Sequence, residues 1–295
     1  MAALAASQKT YLHEVFGPRV TFDRVERKIY SHDIGEVPGL IKPLMGKTLA
    51  ESIVQPQSEE ELVDLVEWAR ANRIALTPRG KATSGYGGVL PLKRGIVVDF
   101  YRMNGIISID REALTAVVQP GAVWEKLQKL LEKEGLMLRL YPTSFMASTV
   151  GGWLAQGGSG VGSYEAGWFR SNVLSARVVL PTGEVRQFAG EDLDMVSDAE
   201  GITGLISEVT IKVQPFEELE VVAIESSEAR DLQVLIEGVT AKRLPVWSLL
   251  FINPRMAEMK NRAPLREHNG HPAEERLILP VSYITTLTYR KKDRK

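Results

Sequence analysis

The sequence contains no cysteine among its 295 residues. That absence excludes disulfides, Cys-ligated zinc, iron–sulfur clusters, thiol nucleophiles and a flavin attached through sulfur. Neither sign of charge is in excess, because 36 Lys and Arg face 37 Asp and Glu for a formal net charge of -1. No global positive field therefore exists to hold nucleic acid or an acidic membrane surface. No apolar run approaches the roughly 18 residues that a membrane span needs. Met1 to Leu12 lacks the basic start and long apolar stretch of a secretory signal. Together these absences predict a cytoplasmic protein that meets a membrane only through a partner. Histidine is scarce as well, at four residues. His268-x-x-His271 falls in a loop-like stretch with no third ligand apparent, so no metal site is expected.

Glycine, by contrast, is concentrated. Of 25 glycines, two clusters matter: Arg79 to Gly88 (RGKATSGYGG) and Gly151 to Gly167 (GGWLAQGGSGVGSYEAG). Strong apolar segments bracket both, and aromatic residues interrupt them, so they read as ordered loops rather than a flexible linker. Glycine serves where φ is positive or where backbone approaches a ligand closely, and consecutive free N–H groups make an anion-binding concavity. The first loop, Thr77 to Gly85, is neither a Walker A nor a G-x-G-x-x-G sequence. An ordinary strand-to-loop turn is the alternative for it, and tight helix–strand packing is the alternative for Thr149-Val-Gly-Gly152. Two such loops about 70 residues apart suit one extended ligand carrying a pyrophosphate and a flat ring.

At roughly 150 residues per domain the length allows two domains, each able to bury a core. Ser58-Glu-Glu-Glu61 is a capping-box signature, and Leu62, Leu65, Val66 and Ala69 continue at helical spacing, predicting a helix over 58–72. Val123 to Glu134, with Gly135 after it, predicts a second helix. Ile74 to Pro78, Gly95 to Tyr101, Thr115 to Gln119, Val173 to Leu180, Val185 to Phe188 and Leu205 to Val213 read as strands. This mixed order predicts an α+β fold. Beyond Pro215 the pattern changes to a strand at Leu219 to Ile224, a helix over 227–241, a strand at Val246 to Ile252, a short helix over 254–261 and a long strand from Leu277 to Tyr289. That reads as an unfinished β-α-β-α-β layer ending on an unpaired edge, either truncated or completed by something else. No internal repeat or low-complexity stretch is present.

Several short motifs then occur in a familiar order. They are Tyr30-Ser-His-Asp33, Val54-Gln-Pro56, Pro78-Arg-Gly80 with Thr83-Ser84, Ile96-Val-Val-Asp99 with Met103-Asn104 and Val118-Gln-Pro-Gly121. Pro142 with Thr149-Val-Gly-Gly152, Arg170-Ser-Asn172-Val173, and Glu200-Gly201-Ile-Thr-Gly204-Leu-Ile206 follow. In this the chain resembles the FAD-binding (PCMH-type) domain of the vanillyl-alcohol oxidase and para-cresol methylhydroxylase superfamily, nearest its D-lactate and glycolate dehydrogenase branch. The resemblance covers residues 14–217. It implies a lead-in over 1–47, a two-subdomain FAD-binding domain over 48–217 and the start of a cap-like domain over 218–295.

The resemblance also implies residues, and it gives His32, inside Tyr30-Ser-His-Asp33, a structural place. Arg79, Gly80, Lys81, Ala82, Thr83 and Ser84 would wrap the FAD pyrophosphate. Pro142, Thr143, Thr149, Gly151, Gly152, Gly158 and Gly160 would pass the ribityl chain and flavin ring, and Glu200, Gly201, Gly204 and Ile206 would close over the adenine side. Lys81 and Ala82 stand where the family has glycine. A positive φ at either would cost about 1 kcal/mol, and Lys81 could add positive charge near a phosphate. Without Cys, and with no His in the glycine clusters, FAD is expected to be non-covalent. The implied reaction is dehydrogenation of a small 2-hydroxy acid, with an electron-acceptor or iron–sulfur subunit as partner. The alternative is an FAD-carrying electron-transfer subunit without its own substrate site. The substrate base and clamp of the branch lie downstream of these motifs, so no catalytic residue is assigned.

Overall fold

The computed structural model describes residues 3–35, 38–41, 43, 48–262 and 279–294. The chain divides into two compact units, Met1–Gly160 with Trp168–Phe216, and Val161–Gly167 with Glu217–Lys295.

The first unit opens with two helices that the sequence reading did not predict. Helix α1 (Ala6–Phe16) ends at Gly17-Pro18, and α2 (Arg24–Tyr30) starts on Asp23, whose carboxylate accepts from Val25 N at 2.8 Å and Glu26 N at 3.0 Å. Leu12 and Phe16 of α1 are buried with Leu62 and Leu65 of α3 (Glu59–Ala71) and with Val54, Ile96 and Val98. A small sheet carries this core in the order β1 (Val20–Thr21), β2 (Ser52–Val54), β4 (Ile96–Asp99), β3 (Leu76–Arg79). Its last three strands are parallel, as the crossover through α3 requires, and only β1 is antiparallel.

Ser58 caps α3 as expected, accepting from Glu61 N at 3.3 Å. The Glu61 carboxylate does not return to the cap, however. It accepts from Gln57 N at 2.9 Å and takes a two-point bond from Arg19 at 2.5 and 2.9 Å. A nearby guanidinium outcompetes the cap amide because a charge-assisted forked bond is the stronger one.

The second sheet is antiparallel, ordered β5 (Ile106–Asp110), β6 (Thr115–Val118), β10 (Leu205–Pro215), β8 (Val173–Val179), β9 (Val185–Ala189), with β7 (Leu136–Leu138) on the far end of β10. Helix α4 (Trp124–Lys133) stops before Gly135 at φ 70°, the left-handed position that glycine tolerates. Part of the second glycine cluster departs from the loop expectation: Val150–Gln156 is a helix, α5. Two adjacent glycines oppose a helix by propensity, but tertiary packing holds this one. Trp153 stacks on Phe169 at 4.5 Å between ring centres, and Trp124 meets both edge-on.

Between the sheets' helices and strands sits a partly exposed ion pair, Glu59 with Arg177 at 2.5 and 3.0 Å, with Ser207 Oγ donating to Glu59 at 2.6 Å. The Arg177 bond, helped by Ser207, holds the Glu59 carboxyl below its ordinary 4.5. A lowered native pKa stabilises the fold above the ordinary value and ceases to do so as pH falls through the lowered one. Glu59→Gln is therefore expected to cost about 1 kcal/mol near neutrality, discounted for Arg177's exposure. The gap between the two unfolding curves should close below about pH 4, and a gap that persists in acid would contradict it.

The second unit contains α6 (Ser163–Ala166) and the split β-α-β arrangement of β11 (Leu219–Ser226), α7 (Ala229–Ala241), β12 (Val246–Ile252), α8 (Pro254–Arg262) and β13 (Tyr283–Arg290). Strand β13 lies in the middle, antiparallel to both neighbours. The sequence reading placed this strand at an unpaired edge, and the structure corrects that. The crossover through α7 leaves a gap of one strand between β11 and β12, which β13 fills. Residues 277 and 278 of the expected strand lie outside the described residues, and 279–282 are not strand. Arg290 ties α6 to this sheet through Glu165, with bonds of 2.6 Å to each carboxylate oxygen.

Candidate functional site

Strand β3 ends at Arg79, opposite Asp99 of β4. The Arg79 guanidinium turns back to the first segment, donating to Tyr30 O at 3.2 Å and His32 O at 2.7 Å and lying over the Tyr30 ring. Asp33, a few residues on, accepts from Gly35 N at 2.9 Å and from Gly87 N at 2.7 Å, so it ties this segment to the far end of the glycine loop. His32 is exposed, its Nδ1 3.1 Å from Asp33 O, which agrees with a structural place. Beneath the loop, Asp99 is buried, and burial holds its carboxyl above the usual range despite bonds from Gln55 Nε2 at 2.7 Å and Tyr101 N at 3.2 Å.

From Gly80 to Ser84 the backbone runs free. None of the N–H groups of Gly80, Lys81, Ala82, Thr83 and Ser84 meets a protein acceptor among the described residues. Such a row of unspent donors along a cleft wall costs stability unless water or a ligand accepts from it, and an oxyanion is the acceptor that suits several donors at once. Lys81 does not add a free cation: its Nζ lies 4.3 Å from the centre of the Tyr101 ring. The strain expected of this loop falls on Ala82, buried at φ 50°. Ala82→Gly removes a left-handed penalty of ~1–2 kcal/mol and gives back somewhat less in chain entropy. The melting temperature should rise by about 2 °C, and a fall would mean the loop does not take this path.

The opposite wall is α5. Thr149 caps it, its Oγ1 accepting from Gly152 N at 3.3 Å. A Cβ on Gly80 would come within 2.5 Å of that same oxygen, and one on Gly151 within 2.5 Å of Pro120 Cβ and 2.8 Å of Pro120 Cα. Glycine at these two positions is what lets the loop, the helix and Pro120 close together. At the other end of α5 the 198–201 turn caps the helix, with Asp198 N donating to Leu154 O at 3.3 Å and Glu200 N to Ala155 O at 2.8 Å. That grip holds Asp198 at φ 57°, Glu200 at φ 49° and Gly201 at φ 76°. Gln156 Nε2 donates to Ser84 Oγ at 3.1 Å and pins the end of the first loop.

These segments line one cleft, which brings together Arg79, Gly80, Lys81, Ala82, Thr83, Ser84, Thr149, Gly151, Gly152, Glu200, Gly201, Gly204 and Ile206. Pro142, Thr143, Gly158 and Gly160 are not among its lining residues. Gly160 packs against the backbone of Tyr141 and Pro142, and Gly158 O accepts from Phe169 N at 3.1 Å. Asp33, Pro78, Gly88, Pro120, Trp153 and Gln156 line the cleft without having been singled out as site residues. Asp33 and Pro120 sit inside motifs already recognised, and Trp153 inside the second glycine cluster, so proximity in sequence was the available signal. His268 and His271 lie outside the described residues, and the described residues contain no cluster of metal-ligating side chains.

Residues 50–189 match the family model of the FAD binding domain. Residues 50–189 are an FAD binding domain. FAD is accordingly the cofactor of this segment, and the expectation of that cofactor is borne out. The glycine walls and free amides of the cleft fall largely within the matched residues of the FAD binding domain.

Among curated relatives, the glycolate oxidase subunit GlcD of Bacillus subtilis is 27% identical over 286 residues, 92% of this chain and 58% of its own length. The mitochondrial D-lactate dehydrogenase [cytochrome] of Arabidopsis thaliana is 28% identical over 259 residues, 83% of this chain and 44% of its own. An alkyldihydroxyacetonephosphate synthase of Dictyostelium discoideum is 32% identical over 203 residues, 65% of this chain and 32% of its own. The chain thus spans between a third and three fifths of these relatives' lengths. A solved alkyldihydroxyacetonephosphate synthase shares the fold, with a TM-score of 0.82 at 21% identity, over 99% of this chain and 59% of that one.

Proposed function

We propose that the chain is the FAD-carrying part of an oxidoreductase that dehydrogenates a small 2-hydroxy acid to the 2-oxo acid. The observation that carries the reading is the row of five unspent amides, Gly80 to Ser84, facing glycine-lined α5 inside an FAD binding domain. Bound there, FAD supplies a two-electron acceptor for a carbon–hydrogen bond beside an oxygen. The residues of this chain hold it: the amides take the diphosphate, Gly151 and Gly152 give room beside Pro120 and Thr149, and Gly201, Gly204 and Ile206 close the far side. On this reading Pro142, Thr143, Gly158 and Gly160, which are not among the cleft's lining residues, meet the flavin ring. On the same reading residues 48–217 carry FAD and 218–295 belong to a cap-like layer. Attachment is non-covalent, since no Cys exists and neither His13 nor His32 lines the cleft.

The names of two relatives, a glycolate oxidase subunit and a D-lactate dehydrogenase, support a hydroxy-acid substrate. The word subunit in the first favours, as the second reading, an FAD-carrying electron-transfer subunit that works with an electron-acceptor or iron–sulfur partner. Anaerobic mixing separates the two. Bleaching of the bound flavin by D-lactate or glycolate supports the first reading, and a flavin that stays oxidised with both, yet is reduced by dithionite, rejects it in favour of the second.

A further inference from the structure

We propose that Asp99, behind the glycine loop, is a proton-linked determinant of cofactor affinity: its carboxyl takes up a proton from water when the diphosphate of FAD settles on the Gly80–Ser84 amides. The inference rests on the FAD reading above and adds to it a residue that lines no part of the cleft.

Asp99 is the last residue of β4, and the register sets it beside Arg79, the last residue of β3, where the amide row begins. It is 3% exposed. A carboxylate this deep is ordinarily paired with a cation, and two cations belong to the segment beside it. Neither is bonded to it. Arg79 gives its guanidinium to Tyr30 O, to His32 O and to the face of the Tyr30 ring, and Lys81 lies over the ring of Tyr101. Asp99 meets only neutral donors. Its Oδ2 accepts from Gln55 Nε2 at 2.7 Å and its Oδ1 from Tyr101 N at 3.2 Å, and the Tyr30 hydroxyl of α2 faces it. Gln55 is held in turn, its Oε1 accepting from Arg102 Nε at 3.2 Å. Burial outweighs these donors and the two cations, so the carboxyl keeps its proton more readily than an exposed one.

That arrangement couples the carboxyl to the cleft. Adjacent strands lie about 4.8 Å apart, so an anion on the amides just past Arg79 stands roughly 10 Å from Asp99. Protein fills the space between them. At an effective dielectric constant of about 20, unit charges at this distance alter each other's binding about tenfold. The diphosphate and an ionised Asp99 therefore oppose one another, whereas a protonated Asp99 offers no opposition. By reciprocity, bound FAD must hold the Asp99 proton more tightly than the free protein does. Two other acids line the cleft. Glu200 is exposed and screened by water, and both oxygens of Asp33 are bonded to backbone amides. Affinity for FAD should thus be greatest where Asp99 is protonated in the free protein and fall as pH rises through its raised range.

Calorimetric titration of the apo full-length chain with FAD, over about pH 5 to 8 in two buffers of different ionisation heat, counts the protons. The phosphates of FAD are diesters and keep their charge throughout. The parent protein is expected to take up as much as one proton per FAD, with affinity falling about tenfold across the range. Asp99→Asn should abolish the uptake, flatten the profile and bind FAD about tenfold tighter than the parent at the upper end. Damage to the loop would not produce a gain. Gln55→Met removes the 2.7 Å donor to the charged form and should move the uptake to higher pH, which tests the assignment even where Asp99→Asn fails to fold. A parent protein that binds FAD without taking up a proton overturns the proposal, as does uptake undiminished in a folded Asp99→Asn or unmoved in Gln55→Met. A parent protein that binds no FAD would instead overturn the FAD reading itself.

Discussion

Gly151→Val is expected to yield a protein without bound FAD. The added Cβ would stand 2.5 Å from Pro120 Cβ and 2.8 Å from Pro120 Cα, and the obstacle is largely backbone, which cannot swing aside. Relief requires α5 to move away from the 118–121 turn, to which it is joined by Gly151 N donating to Pro120 O at 2.9 Å. Since α5 forms one wall of the cleft, its displacement opens the gap to the Gly80–Ser84 amides. Overpacking of this kind costs ~3 kcal/mol, which corresponds to roughly a hundredfold in affinity. The matched control is Gly238→Ala in α7, where a Cβ meets nothing within 4 Å. The control should retain FAD fully. Titration of both apoproteins with FAD, alongside far-ultraviolet circular dichroism, checks the pair, and equal FAD content in the two would contradict the placement of the cleft.

Trp153→Ala is expected to have the larger effect on stability. Trp153 is 7% exposed, stacks on Phe169 at 4.5 Å and meets Trp124 edge-on at 5.3 Å. Removing the indole empties a site walled by two aromatic rings, and losses of this type run to about 3–5 kcal/mol. Stacked and edge-on aromatic pairs add to the area term. Because Trp153 is also what anchors α5 to the aromatic cluster, FAD affinity should fall together with stability. Conservative Trp153→Phe should recover most of both. Urea unfolding of the apo forms reads the first quantity and FAD titration the second. A Trp153→Ala protein within 1 kcal/mol of the parent would show that the cluster does not hold the helix.

The sequence was legible where a local rule agreed with the tertiary outcome. Ser58 caps a helix, Gly135 ends one, and the apolar runs from Ile96 and Leu205 are strands, since each obeys capping or burial periodicity that needs no distant partner. It was misleading where a distant group decided. Gly151 and Gly152 oppose helix formation, yet α5 forms because Thr149 caps it and Trp153 locks it to Phe169. The central position of β13 follows from the crossover through α7, and alternation along the strand carries no such information. Helix α1 is weakly marked in the sequence, since its N-cap is Ala5, which offers no side-chain cap, and only Gly17-Pro18 signals a stop.

For the site, the motif order brought the main walls into view. Arg79 shows its limit, since its guanidinium braces Tyr30 and His32 instead of lying free for a phosphate. Lys81 likewise faces Tyr101. What the motifs could not reveal is which polar groups are spent and which are free. That distinction turns the site from a glycine pattern into a cleft with unspent donors along one wall.

The central claim is that the cleft between Gly80–Ser84 and α5 holds FAD without a covalent bond. The most direct test is the visible absorption spectrum of the purified full chain, before and after acid precipitation, followed by FAD titration of the apoprotein. The account predicts an oxidised-flavin spectrum that passes wholly into the supernatant, and one FAD rebound per chain, abolished by Gly151→Val. A colourless protein that takes up no FAD would contradict it, as would a flavin that remains with the precipitate.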